Sequence, residues 1–323
     1  MKPIIILIIS AVILSGCNSN SKVALSASSG NINNLSVVID NNLWEGSVGD
    51  NIRSLIGASL YGLPQDEPLF TLRQMPTSIF TGFVRKNRIV LKVVKGEEAG
   101  TQFYKDSYAK PQKMVVVSGF TNSEIIDQIK ENADKIISVF KFEEIKEKQR
   151  RILKSINKNN NIETVLGVTM DFPSAYRVAK EEGDFFWLRR DIQTGTINFL
   201  VYEIPLNQIR QKDNPIYEVI KLRDSIGKAH IPGPLEGTYM ITEEAYTPAI
   251  SKTLIGERNA YETRSTWQVK NAFMAGPFLN YVIKDEQKQR FVVFEGFVFA
   301  PSVGKRDYMF ELEAIAKSIK FKP

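Results

Sequence analysis

The sequence predicts an α+β protein of two domains, with antiparallel sheets packed by amphipathic helices, following a cleaved lipoprotein signal. Three observations carry that expectation. Strand-like and helix-like segments come in blocks joined by hairpin-length connections, the pattern of antiparallel sheets. The polar run Asn157-Lys158-Asn159-Asn160-Asn161 divides the chain near its middle. A chain of 323 residues, 43% hydrophobic and 24% charged, can also bury a core in each half.

The N-terminus reads as an export signal. Met1-Lys2 is a short basic start, Ile4 to Leu14 is apolar except for Ser10, and Leu14-Ser15-Gly16-Cys17 supplies small residues and a cysteine at the cut. At about 1.5 Å per residue this run is too short to span a bilayer core of about 30 Å. Residues 1–16 are therefore expected to leave as signal peptide, and Cys17 to carry the acyl chains that hold the protein to the membrane. Residues 17–34, rich in Ser, Asn, Gly and Ala, read as a flexible tether. No aspartate follows Cys17 and no acidic cluster follows it, so the expected location is the periplasmic face of the outer membrane.

The first domain is expected over residues 35–157. Leu35–Ile39 reads as a strand, and Val48, Ile52, Leu55 and Ile56 fall at helical spacing. Strands follow at Phe70–Met75, Ile89–Val94 and Met114–Ser118. Thr121 and Glu124 form a capping box, opening a helix whose apolar stripe runs through Ile125, Ile129, Ala133, Ile136 and Phe140. A highly charged continuation from Glu143 to Ser155 keeps Ile145, Ile152 and Leu153 in phase.

The second domain is expected over residues 162–323. Thr164–Met170, Phe185–Arg190 and Thr196–Ile204 look like a meander. Asn214-Pro215 caps a helix that stops at Gly227. Tyr239–Thr242, Trp267–Val269, Phe278–Ile283 and Phe291–Ala300 are further strands, and a last helix carries Met309, Leu312, Ile315 and Ile319.

Composition narrows the chemistry. With one cysteine committed to lipid, the folded region has no thiol for a disulfide or a nucleophile. His230, the lone histidine, cannot build a His-rich zinc site, and no metal or cofactor is expected. No nucleotide-binding, metalloprotease or serine-hydrolase motif is present, so no catalytic residue is assigned. The net charge of +6 is spread along the chain rather than clustered, and export argues against a nucleic-acid partner. His230 follows a helix end, where a histidine commonly bonds the last carbonyls.

Four positions stand out as ligand or ion-pair candidates. Glu295 shares a strand face with Phe291, Val293, Phe297 and Phe299, so its carboxylate must be paired or have a raised pKa. An arginine such as Arg264, Arg189 or Arg306 would serve, and the functional alternative is a general acid or ligand anchor. Trp187 and Arg189 share a face with Phe185, an arrangement suited to a carboxylate, a phosphate or a sugar, or to an arginine stacked on its neighbour. The Gly/Pro-rich segments Ile231–Met240 and Phe273–Phe278 line a ligand site or form tight sheet corners. Asp224-Ser225-Ile226 is a loose match to an O-glycosylation acceptor.

Several stretches together resemble a family of Bacteroidota lipoproteins of unknown function, number 4837 among the domains of unknown function. They include Leu43-Trp44-Glu45-Gly46, Phe186-Trp187-Leu188-Arg189, Ile231-Pro232-Gly233-Pro234, Trp267, Phe273-Met274-Ala275-Gly276-Pro277-Phe278 and Glu295-Gly296-Phe297-Val298. The resemblance implies an envelope lipoprotein and brings no activity, cofactor or site residue with it. The expectation is a non-enzymatic module that binds or scaffolds an envelope protein or glycan. The alternative is a carboxylate-dependent hydrolase or transferase.

Overall fold

The computed structural model describes residues 24–210 and 215–322. The expected signal peptide, Cys17 and Asn214 lie outside the described residues. The α+β class holds, with helices packed on two large sheets.

The first sheet comprises β1 (Asn34–Val38), β2 (Thr71–Met75), β3 (Ile89–Lys95), β4 (Gly100–Lys105) and β5 (Lys113–Gly119), in the order β2-β1-β3-β5-β4. An antiparallel sheet was expected, yet only β4 runs antiparallel to its neighbour; β1 pairs in parallel with β2 and β3, and β3 with β5. The physical reason is the connection after β1, which carries α1 (Asn41–Trp44) and α2 (Ser47–Leu55) and returns the chain to its starting edge. The central strands are covered on both faces. Leu35, Val37, Leu91, Val115 and Val117 face the helices, while Val38, Val90 and Met114 pack under Phe80 on the other side.

Helix α3 (Asn122–Ile152) starts at the Thr121 capping box, in which Glu124 N–H donates to Thr121 Oγ1 at 3.2 Å and Thr121 N–H donates back to Glu124 at 3.0 Å. Its apolar stripe packs on the first sheet. Its charged continuation is not a solvated face, because Glu143, Glu144 and Glu147 are buried, whereas Leu153, expected in phase, is 54% exposed. Arg88 reaches Glu144 at 2.6 Å, and Glu144 also accepts from the backbone of Asn33. That contact changes the tether expectation: Ser26, Ser28 and Ser29 exchange backbone hydrogen bonds with Lys110, Lys86 and Arg88, so the chain joins the fold well before residue 34.

Between the halves, Thr164–Met170 was expected as a strand. It is instead α4 (Asn161–Leu166) followed by the short β6 (Val168–Thr169), because Gly167 at φ 66° ends the helix in a left-handed turn.

The second sheet is antiparallel throughout. Its strands are β7 (Arg177–Glu182), β8 (Phe185–Ile192), β9 (Gly195–Pro205), β10 (Met240–Thr242), β11 (Ala249–Ile255), β12 (Arg258–Val269), β13 (Ala275–Asp285) and β14 (Arg290–Phe299). The order is β10-β12-β13-β14-β9-β8-β7, with β11 on the free part of β12. Helix α5 (Ile216–His230) covers one face and α6 (Arg306–Ala316) the other. The period of two divides β14 cleanly, with Val292, Phe294 and Val298 facing α6 and Phe291, Val293 and Phe297 facing α5. β15 (Lys320–Phe321) pairs with β6.

One apolar core runs from the first sheet to the α6 face of the second. Polar contacts reinforce the join: Lys141 and Lys148 of α3 reach Glu313 and Glu311 of α6 at 2.6 and 2.8 Å. No helix among the described residues is long and apolar enough to cross a membrane.

Candidate functional site

Helix α5 does not stop at Gly227; it continues to His230. Gly227 is there for space, since a Cβ at this position would lie 2.2 Å from the Met240 carbonyl of β10. The buried stripe Val219, Arg223 and Gly227 thus lets the helix close onto the sheet edge. The extra turn carries Lys228, Ala229 and His230 outward past the sheet.

That turn forms one wall of a groove of about 630 Å³. Lys180 and Trp187, from β7 and β8, form a second wall, and Pro232, Thr238 and Tyr239 a third. His230 stacks on Phe185 with ring centroids 4.1 Å apart, and Lys180 Nζ donates to its Nδ1 at 3.2 Å. The histidine is therefore held by the strand wall, not by helix carbonyls. Lys180 also pairs with Glu182 at 2.9 Å, and this hydrogen bond draws the Glu182 carboxyl below its usual range. Lys228 and Lys270 each lie 5.7 Å from the Tyr239 ring centroid. Trp187 is half-buried and donates its indole N–H to Asn198 at 3.0 Å, which fixes the ring and leaves it as an apolar wall. The carboxylate nearest these groove residues is Glu182, which also lies 3.5 Å from His230 Nδ1.

The structure brings Trp187 to the groove and leaves Arg189 out of it. Arg189 donates to Asp191 at 2.9 Å at the exposed end of β8. Lys180, Lys228 and Tyr239 were missed, because three separate elements deliver them and no spacing in the chain links them. The only sequence sign was the Gly/Pro-dense stretch Ile231–Met240, which turns out to shape the third wall.

Glu295 lies behind the groove, under α5. Its partner is Arg223, not Arg264, Arg189 or Arg306: Arg223 Nη2 lies 2.9 Å from Glu295 Oε1, and both side chains are 1% exposed. Asn280 donates to the other oxygen at 3.1 Å, and the guanidinium lies 3.9 Å from the Phe278 ring centroid. Burial raises the Glu295 pKa, and Arg223 and Asn280 only partly offset it. The excluded arginines are engaged elsewhere. Arg264 bonds Glu262 and Glu313 at 2.6 and 2.8 Å, and Arg306 bonds Asp307 at 2.9 Å. Asp224, in the loose glycosylation motif, accepts from the Thr242 backbone and supports Arg223, while Ser225 lies exposed on α5.

A second cleft, of about 500 Å³, opens where α3, β11, β12 and α6 meet, and Glu262, Glu313 and Lys317 line it. Arg264 bridges the two carboxylates. Burial lowers the Lys317 pKa against the pull of these carboxylates. For Glu313 burial works upward, but Arg264 and Lys141 overcome it and hold the carboxyl well below its usual range.

These features define a two-part α+β protein whose antiparallel sheet carries a cationic, aromatic groove at one end. The chain belongs to the family described as "Domain of unknown function (DUF4837)", whose model matches residues 155–318. A second domain of unknown function, DUF8532, matches residues 28–153. No curated protein matches the sequence. Among solved structures, a Bacteroides thetaiotaomicron protein is 12% identical with a TM-score of 0.28, the match covering 49% of this chain and 46% of that one. The Saccharomyces cerevisiae Ran-binding protein Mog1p is 7% identical with a TM-score of 0.31, over 48% of this chain and 90% of that one. LpqN of Mycobacterium tuberculosis, described as involved in cell envelope biogenesis, is 10% identical with a TM-score of 0.30, over 48% and 83%. Overlaps this loose carry no functional argument.

Proposed function

We propose that this chain is a lipid-anchored, non-enzymatic binding module of the cell envelope, held through Cys17, and that its groove takes an anionic, sugar-bearing ligand. The groove carries this reading. Trp187 and Tyr239 offer flat apolar rings to a sugar face, while Lys228 on the groove wall and Lys270, 3.4 Å from the Tyr239 hydroxyl beside it, supply cations to a phosphate or carboxylate. The reading is tested by retention of anionic envelope oligosaccharides on the immobilised protein. Trp187→Ala and Lys228→Glu should each abolish retention. Undiminished retention by both variants would contradict it. Anchoring is tested separately, since Cys17→Ser should leave the protein unprocessed or soluble.

A hydrolase or transferase working through carboxylates is the rival, and the cleft beside α6 is the observation in its favour. Its two carboxylates are bridged by one arginine, however, and Glu313 is held strongly acidic. A general acid needs the opposite shift, and Glu295, which has it, lies sealed against Arg223. Binding is the better-supported function.

A further inference from the structure

We infer that the face where the chain joins the first domain is a membrane-contact surface that seats on anionic phospholipid headgroups. The inference rests on the proposed acylation of Cys17. Seven Cα-to-Cα steps join Cys17 to Ala24, the first described residue, and fully extended they reach about 24 Å. A globular chain of this size is about 50 Å across. The anchor therefore cannot let the far side of the molecule face the bilayer, and it keeps the side that receives Ala24 to Ser29 within about 24 Å of it.

The structure of that side suits such contact. Backbone hydrogen bonds tie Ser28 to Lys110 and Ser29 to Lys86. Just before them stand the two short turns Thr77–Ile79 and Gly82–Lys86, which cover the second face of the first sheet. Phe80 and Val84 point into that cover, and Ile79 and Phe83 do not. Ile79 is 56% and Phe83 70% exposed, so neither contributes much to the core. Leu25 and Tyr108 are exposed beside the same junction. Around these side chains the two segments 76–88 and 105–113 carry Arg85, Lys86, Lys105, Lys110 and Lys113, apart from Arg88, which is buried on Glu144; the carboxylates beside them are Asp106 and Asp40, the latter 3.5 Å from the Thr77 amide. Apolar side chains that can enter the headgroup layer, ringed by cations, fit an anionic lipid surface.

The chain from Cys17 onward can be coupled through its one cysteine to maleimide-bearing vesicles of phosphatidylethanolamine and phosphatidylglycerol. The result then does not depend on whether cells acylate that residue. Relative to the unsubstituted protein, Phe83→Trp should give blue-shifted emission that is quenched by lipids brominated high in the acyl chain. Tyr217→Trp, on α5 and equally accessible, should not. Quenching of both or of neither would overturn the inference. For the uncoupled chain, Lys110→Gln should weaken partition onto the same vesicles about fivefold, and unchanged partition would count against the cationic ring.

Discussion

Arg223 and Glu295 meet at 2.9 Å beneath α5, each 1% exposed, and join the helix that builds the groove to the central strand of the second sheet. The carboxyl pKa is raised, so the attraction does not fully offset the cost of burying the charge. We expect the pair to fix where α5 sits more than to stabilise the fold.

Glu295→Gln strands Arg223 and should cost about 3 kcal/mol in urea unfolding. The double variant Arg223→Met/Glu295→Leu should recover most of that loss, because neither charge is then left alone. If Glu295→Gln leaves stability unchanged, the pair is not structural and the catalytic reading of Glu295 rises.

Gly227→Ala tests the close approach of α5 to β10. By helix propensity alone alanine should gain up to about 1 kcal/mol. The Cβ would, however, lie 2.2 Å from the Met240 carbonyl, so net destabilisation of about 1–3 kcal/mol is expected. A rise in melting temperature would mean the helix end is free to move, and the groove wall with it.

Much of this was legible in the chain. Period-two alternation placed Glu295 on the correct face of β14, and the capping box fixed the start of α3. Its partner was not legible, because Arg223 lies on a separate helix and the pairing exists only once that helix docks. Gly227 misled for a related reason: a glycine needed for a tertiary contact looks the same as one that ends a helix. β7 and β11 escaped notice because both are largely exposed edge strands, so burial leaves little pattern in them. The parallel pairing of the first sheet had a sign in Leu35–Ile39 and Ile89–Val94, whose nearly unbroken apolar runs suit strands covered on both faces.

Acid should loosen α3 in two places, at Glu147 within the first half and at Glu313 where the halves join. Burial raises the Glu147 carboxyl, but hydrogen bonds from Arg150 and Arg151 and the charge of Arg88 bring it from 4.5 to about 2. Glu313 is shifted in the same direction. The folded state therefore binds fewer protons than the unfolded one. The stabilisation is complete above about pH 4.5 and is lost as pH falls through about 2. Glu295, shifted upward, takes its proton earlier and works in the opposite sense. Urea midpoints should hold or rise slightly from neutral pH to about 5, as Glu295 takes its proton, and then fall. Glu147→Gln should flatten that fall, and an unaltered profile would remove Glu147 as its source.

The groove is the centre of the account, and Trp187 is its natural reporter. A phosphate-bearing envelope oligosaccharide titrated into the protein should change tryptophan emission saturably, and added salt should weaken the affinity. Trp187→Phe should abolish the signal while competition assays still detect binding, and Lys228→Glu should abolish both. Saturable binding that Lys228→Glu leaves intact, or no binding at any salt concentration, would contradict the assignment of this groove as the ligand site.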